Sequence, residues 1–292
     1  MKKRTKYLCI LGISLCVVGG IMCGIGYVMN DSSISLSNIE STINSNEEMH
    51  LYKLDKTKIS NIQSLNFELN TSSFKVESSD DTSFYISYHI QSPSKKDPIS
   101  YEVKQNKLQI KEEELDNYTN INTKDNKVIL YVPKNNNLHD IKGNNDVGNI
   151  DIKQLICNSL ELKVDVGNIS LTDMEIKKGS SSSDVGNINI TSSSLSDFET
   201  KADIGNITAS LSSIKSNIIM KCDTGKINIH LSDKNPPIQI HAKTSLGNID
   251  VSDSLGGTLE KDVTESTYDL DTSNSSGTLT LTVDTGNISI QS

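Results

Sequence analysis

The residues best suited to chemistry in this 292-residue chain are aspartates that open a recurring pentapeptide. Copies of Asp-x-Gly-Asn-Ile or a close variant begin at Asp146, Asp165, Asp184, Asp203, Asp223, Ser245 and Asp284. If the copies stack, the first five carboxylates form one column and become candidate Ca²⁺ ligands. A purely structural column is the alternative, because a charge-assisted turn hydrogen bond of about 1.5–3 kcal/mol offsets the repulsion between neighbouring carboxylates.

Other reactive side chains form no constellation. His230 and His241 flank a Pro-Pro turn and could face each other, but no third ligand accompanies them. The serine runs at 180–183 and 192–194 have no histidine at matching positions, which indicates coil corners rather than nucleophiles. Cys157 and Cys222 could pair only if the fold brings them together, and two buried thiols are the alternative. The sequence therefore predicts no catalytic residue and no cofactor, with a polysaccharide lyase or hydrolase as the competing hypothesis.

The spacing of the copies predicts the fold. Successive copies are 19, 19, 19, 20, 22 and 39 residues apart, and a fixed period near 20 is typical of repeat architectures. Stacked copies would pair each strand with its equivalent in the next coil at about 4.8 Å. We therefore expect an all-β chain with a parallel β-solenoid over 146–292. A sandwich or a propeller is the alternative, although a propeller blade needs about 40 residues or more.

Each position in a copy has a predicted role. The third residue is glycine in every copy, which predicts a tight turn with φ > 0. The aspartate two residues earlier is expected to accept a hydrogen bond from that glycine N–H, as in an Asx-turn. The fifth residue is always isoleucine, and apolar residues also recur at positions seven and twelve. These positions predict a strand with one buried face.

The N-terminal segment predicts a membrane anchor. Residues 7–29 are an uncharged, mostly apolar run of 23 residues, enough to cross a hydrocarbon core of roughly 30 Å. Four basic residues lie in the 1–6 tail, so the N-terminus is expected in the cytoplasm and the rest of the chain outside the cell. A cleaved signal peptide is the alternative. Glycines in this helix also suit packing against a second copy as a homodimer, and a Gly-rich span without a partner is the alternative.

The remaining segments complete the predicted organisation. Residues 30–60 are polar and are interpreted as a juxtamembrane linker. Alternating apolar residues over 61–145 predict further strands, interrupted by a charged, solvated loop at 111–126. The last copy is preceded by a predicted inserted hairpin at about 254–283, with Tyr268–Thr272 and Gly277–Val283 as its strands.

Charge limits the partners. The chain has a net charge of −9, and all 37 acidic residues follow the first thirty positions. An acidic ectodomain has no electrostatic attraction to nucleic acid or anionic lipid, so a nucleic-acid partner is not expected.

The repeats and the Val128-Ile-Leu-Tyr-Val-Pro133 segment resemble a bacterial β-strand-repeat family known as "putative adhesin", widespread in Gram-positive bacteria. The resemblance covers roughly residues 60–292, although the family more often has Ser-Gly-Asp-Ile where this chain has Val-Gly-Asn-Ile. It implies a membrane-anchored surface protein without established catalytic residues, and some relatives are similar to proteins encoded beside cell-envelope stress systems.

The expected distance of the domain from the membrane limits the functions that are open to it. Eight coils at about 4.8 Å and a flexible linker keep the domain within tens of ångströms of the membrane. We therefore expect a non-enzymatic, cell-membrane protein that binds an envelope glycan or a membrane protein.

Overall fold

Every regular element in the described part of the chain is a β-strand, as expected for an all-β protein. The structure is a computed structural model and describes residues 48–113, 125–134, 137–233, 237–273 and 275–292. No helix within these ranges is long and apolar enough to cross a membrane. The predicted cytoplasmic tail at 1–6 and the predicted transmembrane helix at 7–29 lie outside the described residues.

The described residues form a single mixed sheet of 21 strands. The strands are β1 (His50–Ile59), β2 (Ser64–Leu69), β3 (Ser73–Ser78), β4 (Phe84–Ser92), β5 (Ile99–Lys104), β6 (Lys107–Glu112), β7 (Lys127–Val132), β8 (Asn137–Val147), β9 (Ile150–Lys153), β10 (Ile156–Val166), β11 (Ile169–Thr172), β12 (Glu175–Ile176), β13 (Gly179–Val185), β14 (Ile188–Leu195), β15 (Phe198–Ile214), β16 (Asn217–Leu231), β17 (Gln239–Leu246), β18 (Ile249–Val251), β19 (Thr258–Lys261), β20 (Ser266–Leu270) and β21 (Thr278–Gln291).

One repeat forms a coil with three sides. The first side leads into the Asp-x-Gly corner, as in Leu160–Val166, and the second side follows it, as in β11. A short third side, β12 in this coil, precedes the next first side. Inward residues alternate with outward ones on each side, which is why period-two patterning recurs in every copy.

Successive coils pair in parallel and in register. Leu160 faces Gly179 on the first side, Ile169 faces Ile188 on the second and Cys157 faces Ile176 on the third. Each pair is 19 residues apart, so the parallel pairing between copies is found as predicted. The isoleucine at position five is buried in all seven copies.

The order of the coils differs from the order of the chain. β16 pairs with β21, and β21 pairs in turn with β17 and β18. The final copy therefore lies between the copies that begin at Asp223 and Ser245, and the prediction that copies stack in chain order is wrong at this end. The interval of 39 residues is not two periods of the stack, because the chain passes to the outer coil and then returns to an inner position.

The N-terminal strands repeat this inversion. β2 lies between β6 and β8, and β3 lies between β7 and β9, all in parallel. The first coil of the chain is thus inserted beneath the coil that ends at the Asp146 corner. Coil stacking and one continuous hydrophobic core extend across residue 146 into segments that lack the pentapeptide.

The segment predicted as a linker contains a strand. β1 covers His50–Ile59 and pairs antiparallel with β4, with Tyr52, Leu54 and Ile59 partly buried against the core. The alternation of these apolar residues with charged ones was hidden in a polar stretch. The assignment of 30–60 as linker is corrected for residues 50–59.

Antiparallel pairing also occurs within 254–283, but between other partners than expected. β19 pairs with β20, and β20 pairs with the outer edge of β17. The second predicted hairpin strand is the start of β21, which pairs in parallel with β16 and β17. The hairpin therefore covers β17 on the first side, while β18 remains at the edge of the second side.

The core is aliphatic, with one aromatic pair near the N-terminal end. The rings of Phe67 and Phe74 stack with centroids 4.0 Å apart. Phe67 faces Gly143 in the next coil, and a Cβ at Gly143 would lie 2.1 Å from the Phe67 ring. Glycine at 143 therefore makes room for the ring.

Candidate functional site

The predicted aspartate column exists, and lysines lie within it. Lys163 forms an ion pair with Asp165, and Lys201 Nζ lies 2.5 Å from Asp203 and 3.6 Å from Asp223. The hydrogen bond to Asp165 raises the pKa of Lys163, and nearby Asp184 and Asp146 act in the same direction. The lysines thus offset much of the repulsion between carboxylates.

Partial burial disfavours the charged form of Asp223. Its pKa is raised mainly by burial and further by Asp203 and by Asp284 of the inserted final coil, while Lys201 opposes the shift. Among the described residues no group of three or more His, Cys, Asp or Glu side chains could hold a metal ion. Calcium binding by Asp146, Asp165, Asp184, Asp203 and Asp223 stays a prediction, to be tested by melting the protein with and without millimolar Ca²⁺.

The motif requires glycine for two separate reasons, its positive φ and the close approach of the next coil. Gly167 and Gly186 have φ of 147° and 152°, and a Cβ at Gly186 would lie 1.8 Å from the carbonyl oxygen of Gly167. Their N–H groups donate to Val185 and Ile204 carbonyls in the next coil, at 2.9 Å each. The expected aspartate acceptor is therefore corrected: the glycine N–H joins coils instead of closing an Asx-turn.

The asparagine at position four, for which the sequence pattern predicted no role, joins the corners. Asn149 Oδ1 accepts hydrogen bonds from the backbone and side-chain nitrogens of Asn168, at 2.9 Å each. Asn168 and Asn187 continue the same pattern to Asn206. The identical residue at one motif position was the signal for this ladder, which resembles the side-chain ladders of stacked β-structures.

Glu112 is the second residue that sequence reasoning missed. It was predicted in a solvated loop, but it is buried at the end of β6. Its carboxylate accepts hydrogen bonds from the backbone N–H groups of Asn70, Thr71 and Ser72 and from the hydroxyls of the last two. Glu112 thereby closes a corner that lacks the Asp-x-Gly sequence.

The remaining candidates have structural roles. His241 Nδ1 lies 2.7 Å from Asp269, whereas His230 is in the second side of its coil, so the two histidines do not face each other. Cys157 and Cys222 are buried and free, as the alternative to pairing predicted. Burial raises their pKa values to about 12 and about 11, which leaves both thiols protonated at neutral pH.

A groove runs along the stack where the second and third sides meet. It has a volume of about 570 Å³ and collects residues from several successive coils. Eight of the eleven residues that line it are polar or charged, and the full set is Ser78, Lys134, Gln154, Leu155, Ile156, Asp173, Met174, Glu175, Ser192, Ser194 and Ser212. Because coils repeat at about 4.8 Å, the groove presents hydroxyl, amide and carboxyl groups at regular intervals.

A column of backbone outliers lies in this groove. Gln154, Asp173 and Ser192 have φ of 58°, 53° and 51°, in the left-handed region that disfavours residues with a Cβ by roughly 1–2 kcal/mol. At the Asp-x-Gly corner the residue with positive φ is glycine. In the groove the residues with positive φ carry polar side chains.

These features define a class of protein: an all-β repeat protein whose stacked coils present a polar groove. The chain belongs to the DUF4097 "Toastrack" family, whose model matches residues 62–291. The resemblance to "putative adhesin" proteins is thereby confirmed.

Several solved structures are distantly similar to this chain. A "putative adhesin" from Bacteroides fragilis is 15% identical, with a TM-score of 0.41 over 84% of this chain and 97% of the other. A "putative cell adhesion protein" from Clostridium sporogenes is 14% identical, with a TM-score of 0.33 over 84% and 98%. A "putative lipid binding protein" from Parabacteroides distasonis is 15% identical, with a TM-score of 0.32 over 84% and 98%. The comparison with curated proteins gave no match.

Proposed function

We propose that this chain is a non-enzymatic, adhesin-like surface protein whose groove binds an extended glycan of the cell envelope. Its stacked coils form a parallel β-solenoid, and the 7–29 segment anchors it in the cell membrane with the repeat domain outside. In this setting the protein holds an envelope glycan or a membrane partner near the membrane and serves the response to envelope stress. Pairing of two anchors would make it a homodimer.

The column of left-handed residues carries this proposal. Glycine at Gln154 and Ser192 would relieve the backbone, yet both positions keep polar side chains that face the groove. Strained backbone that persists in a concave surface is typical of binding sites. A polymer of sugar rings offers hydroxyl groups at repeated intervals, which matches polar groups that recur from coil to coil.

The test exploits the opposite signs expected for stability and binding. Gln154→Gly and Ser192→Gly should leave the free energy of unfolding unchanged or raise it by up to about 1 kcal/mol, because glycine accepts positive φ. The same variants should lower the affinity for the oligosaccharide that binds most tightly on a glycan array at least tenfold. Calorimetric titration measures this affinity.

Gln105→Gly is the matched control. Gln105 also has positive φ, at 49°, but it lies in the turn between β5 and β6, outside the groove. The Gln105→Gly variant should change the free energy of unfolding without changing the affinity for the oligosaccharide. The proposal fails if no oligosaccharide on the array binds, or if the groove variants bind as tightly as the unmodified protein.

An enzyme acting on polysaccharide is the second candidate, because Asp173 and Glu175 both line the groove. The Glu175 carboxylate, however, lies 3.4 Å from Lys215 Nζ, two coils away. A reducing-end assay on the bound oligosaccharide separates the two functions, since new reducing ends would appear only with hydrolysis or elimination.

A further inference from the structure

A second concave surface lies on the outer face of the second side, where three antiparallel strands meet. β4 is flanked by β1 and β7, and small Ser87 leaves a hollow of about 480 Å³ between its neighbours. We call it the β4 hollow, with Ser87 and His89 at the centre, Leu54 and Lys56 on the β1 wall, and Lys127 and Tyr131 on the β7 wall. Its volume is within the range of about 300–1,000 Å³ typical of small-molecule sites.

A β-bulge positions one cation at the rim. Asp55 and Lys56 together stand opposite the single residue Ser87, because the pairing resumes at Thr57. Bulges redirect side chains. The Lys56 ammonium lies 4.5 Å from the Tyr131 ring centroid and 5.1 Å from that of Tyr85.

Basic residues face one another across the hollow. Lys53 is the register partner of His89, and His89 is the partner of Lys127. Lys53 and Lys127 therefore lie on either side of His89. On other strands Lys142 instead faces Glu161, with an Nζ to Oε1 distance of 2.9 Å.

Lys127 and His89 are the groups available to a ligand. Lys53 is paired with Asp55 at 2.7 Å and Lys56 with Asp80 at 3.1 Å. Within the described residues, neither Lys127 nor His89 has an ion-pair or side-chain hydrogen-bond partner. Asp125 also lines the hollow and can accept hydrogen bonds from hydroxyl groups. Ile129 and Tyr131 supply an apolar surface beside these polar groups.

We propose that the β4 hollow binds a sugar ring that carries an anionic group, either a carboxylate or a phosphate. The anion lies between His89 and Lys127, the ring packs against Ile129 and Tyr131, and its hydroxyls reach Ser87 and Asp125. None of the residues lining this hollow lines the groove, so the site goes beyond the proposed function and is independent of it.

Three sugars with the same ring test the proposal: galacturonic acid, galactose 6-phosphate and galactose, each titrated into the full chain by NMR or calorimetry. At least one acidic sugar should bind ten times or more tightly than galactose, and the one that does identifies the anionic group. Equal binding of galactose, or no binding of either acidic sugar, would overturn the proposal.

Variants locate the binding. Lys127→Gln and Ser87→Phe should each lower the affinity for the acidic sugar at least tenfold. Lys142→Gln, on the first side, should leave this affinity unchanged. Both positions in the hollow face outward, and equal melting temperatures would establish that the fold is intact. An equal loss of affinity in Lys142→Gln would indicate general charge attraction and overturn the site. Ser192→Gly should leave this binding unchanged, which separates it from the groove.

Discussion

The corner motif divides its roles among different side chains. Gly186 admits the positive φ and the close approach of the next coil, and Asn187 links two neighbouring asparagines by hydrogen bonds. Isoleucine fills the core, whereas the aspartates remain at the surface among lysines.

Glu112 predicts a large effect from a residue outside the repeats. Glu112→Ala removes the acceptor of three backbone N–H groups at a buried corner, and we expect a loss of about 2–4 kcal/mol in the free energy of unfolding. Chemical denaturation measures this loss. The exposed neighbour provides the control, because Glu113→Ala should change stability by less than about 0.5 kcal/mol. Similar effects of both substitutions would contradict the buried role.

Unlike Glu112, Asp223 is expected to lower the stability of the fold, to an extent that depends on pH. Its folded pKa lies above the ordinary value of 3.8, mainly because of burial, so its ionisation opposes folding. This penalty is present above the folded pKa and disappears as the pH falls below 3.8. Asp223→Asn should therefore raise the melting temperature at pH 7 by the equivalent of less than about 1 kcal/mol. The difference should vanish near pH 3, and stabilisation that persists there would have another cause.

At the scale of the element, the coil corner is a contact between backbones. The Gly186 Cβ position is 1.8 Å from the Gly167 oxygen, so a methyl group must separate two coils as well as adopt a φ of 152°. We expect Gly186→Ala to lower the free energy of unfolding by about 3 kcal/mol or more.

Gly256 distinguishes the strain of positive φ from the effect of close approach between coils. It has φ of 67°, but no other atom lies within 4 Å of the position that a Cβ would take, so Gly256→Ala should cost only the conformational term of about 1–2 kcal/mol. Thermal or urea unfolding of both variants measures the difference. Equal losses would mean that close approach between coils contributes nothing.

At the scale of the whole molecule, strands near each end of the described chain are inserted between other coils. β2 and β3 are inserted between coils that follow them in sequence, and β21 is inserted between β16 and β17. A C-terminal strand with partners on both edges has every backbone group within reach of a neighbour. The last strand of the chain is thus interior to the sheet.

This topology predicts an unusual pattern of hydrogen exchange. Amides of β21 should be protected to the same extent as those of β10 in the middle of the stack, although terminal segments ordinarily fray. Amides of β19, which pairs only with β20 and is exposed, should exchange much faster. Native-state exchange followed by NMR or mass spectrometry measures both. Rapid exchange along β21 would contradict its position between β16 and β17.

The sequence alone was sufficient for features that depend on neighbouring residues. The glycine with positive φ and the buried isoleucine two residues later follow from steric rules within one coil, and the 19-residue interval is visible in the spacing of the copies. Which coils become neighbours is a non-local choice. Every coil offers similar strand edges and similar isoleucines, so the repeats do not distinguish Ser245 from Asp284 as the neighbour of Asp223.

Only the tertiary structure decided that choice, and with it the functional surfaces. Glu112 reaches the corner at Asn70–Ser72 because β6 lies beneath β2. The groove collects side chains from several coils, and the β4 hollow exists because β4 lies between β1 and β7. These sites join residues far apart in the chain, and no local pattern of residue types could place them together.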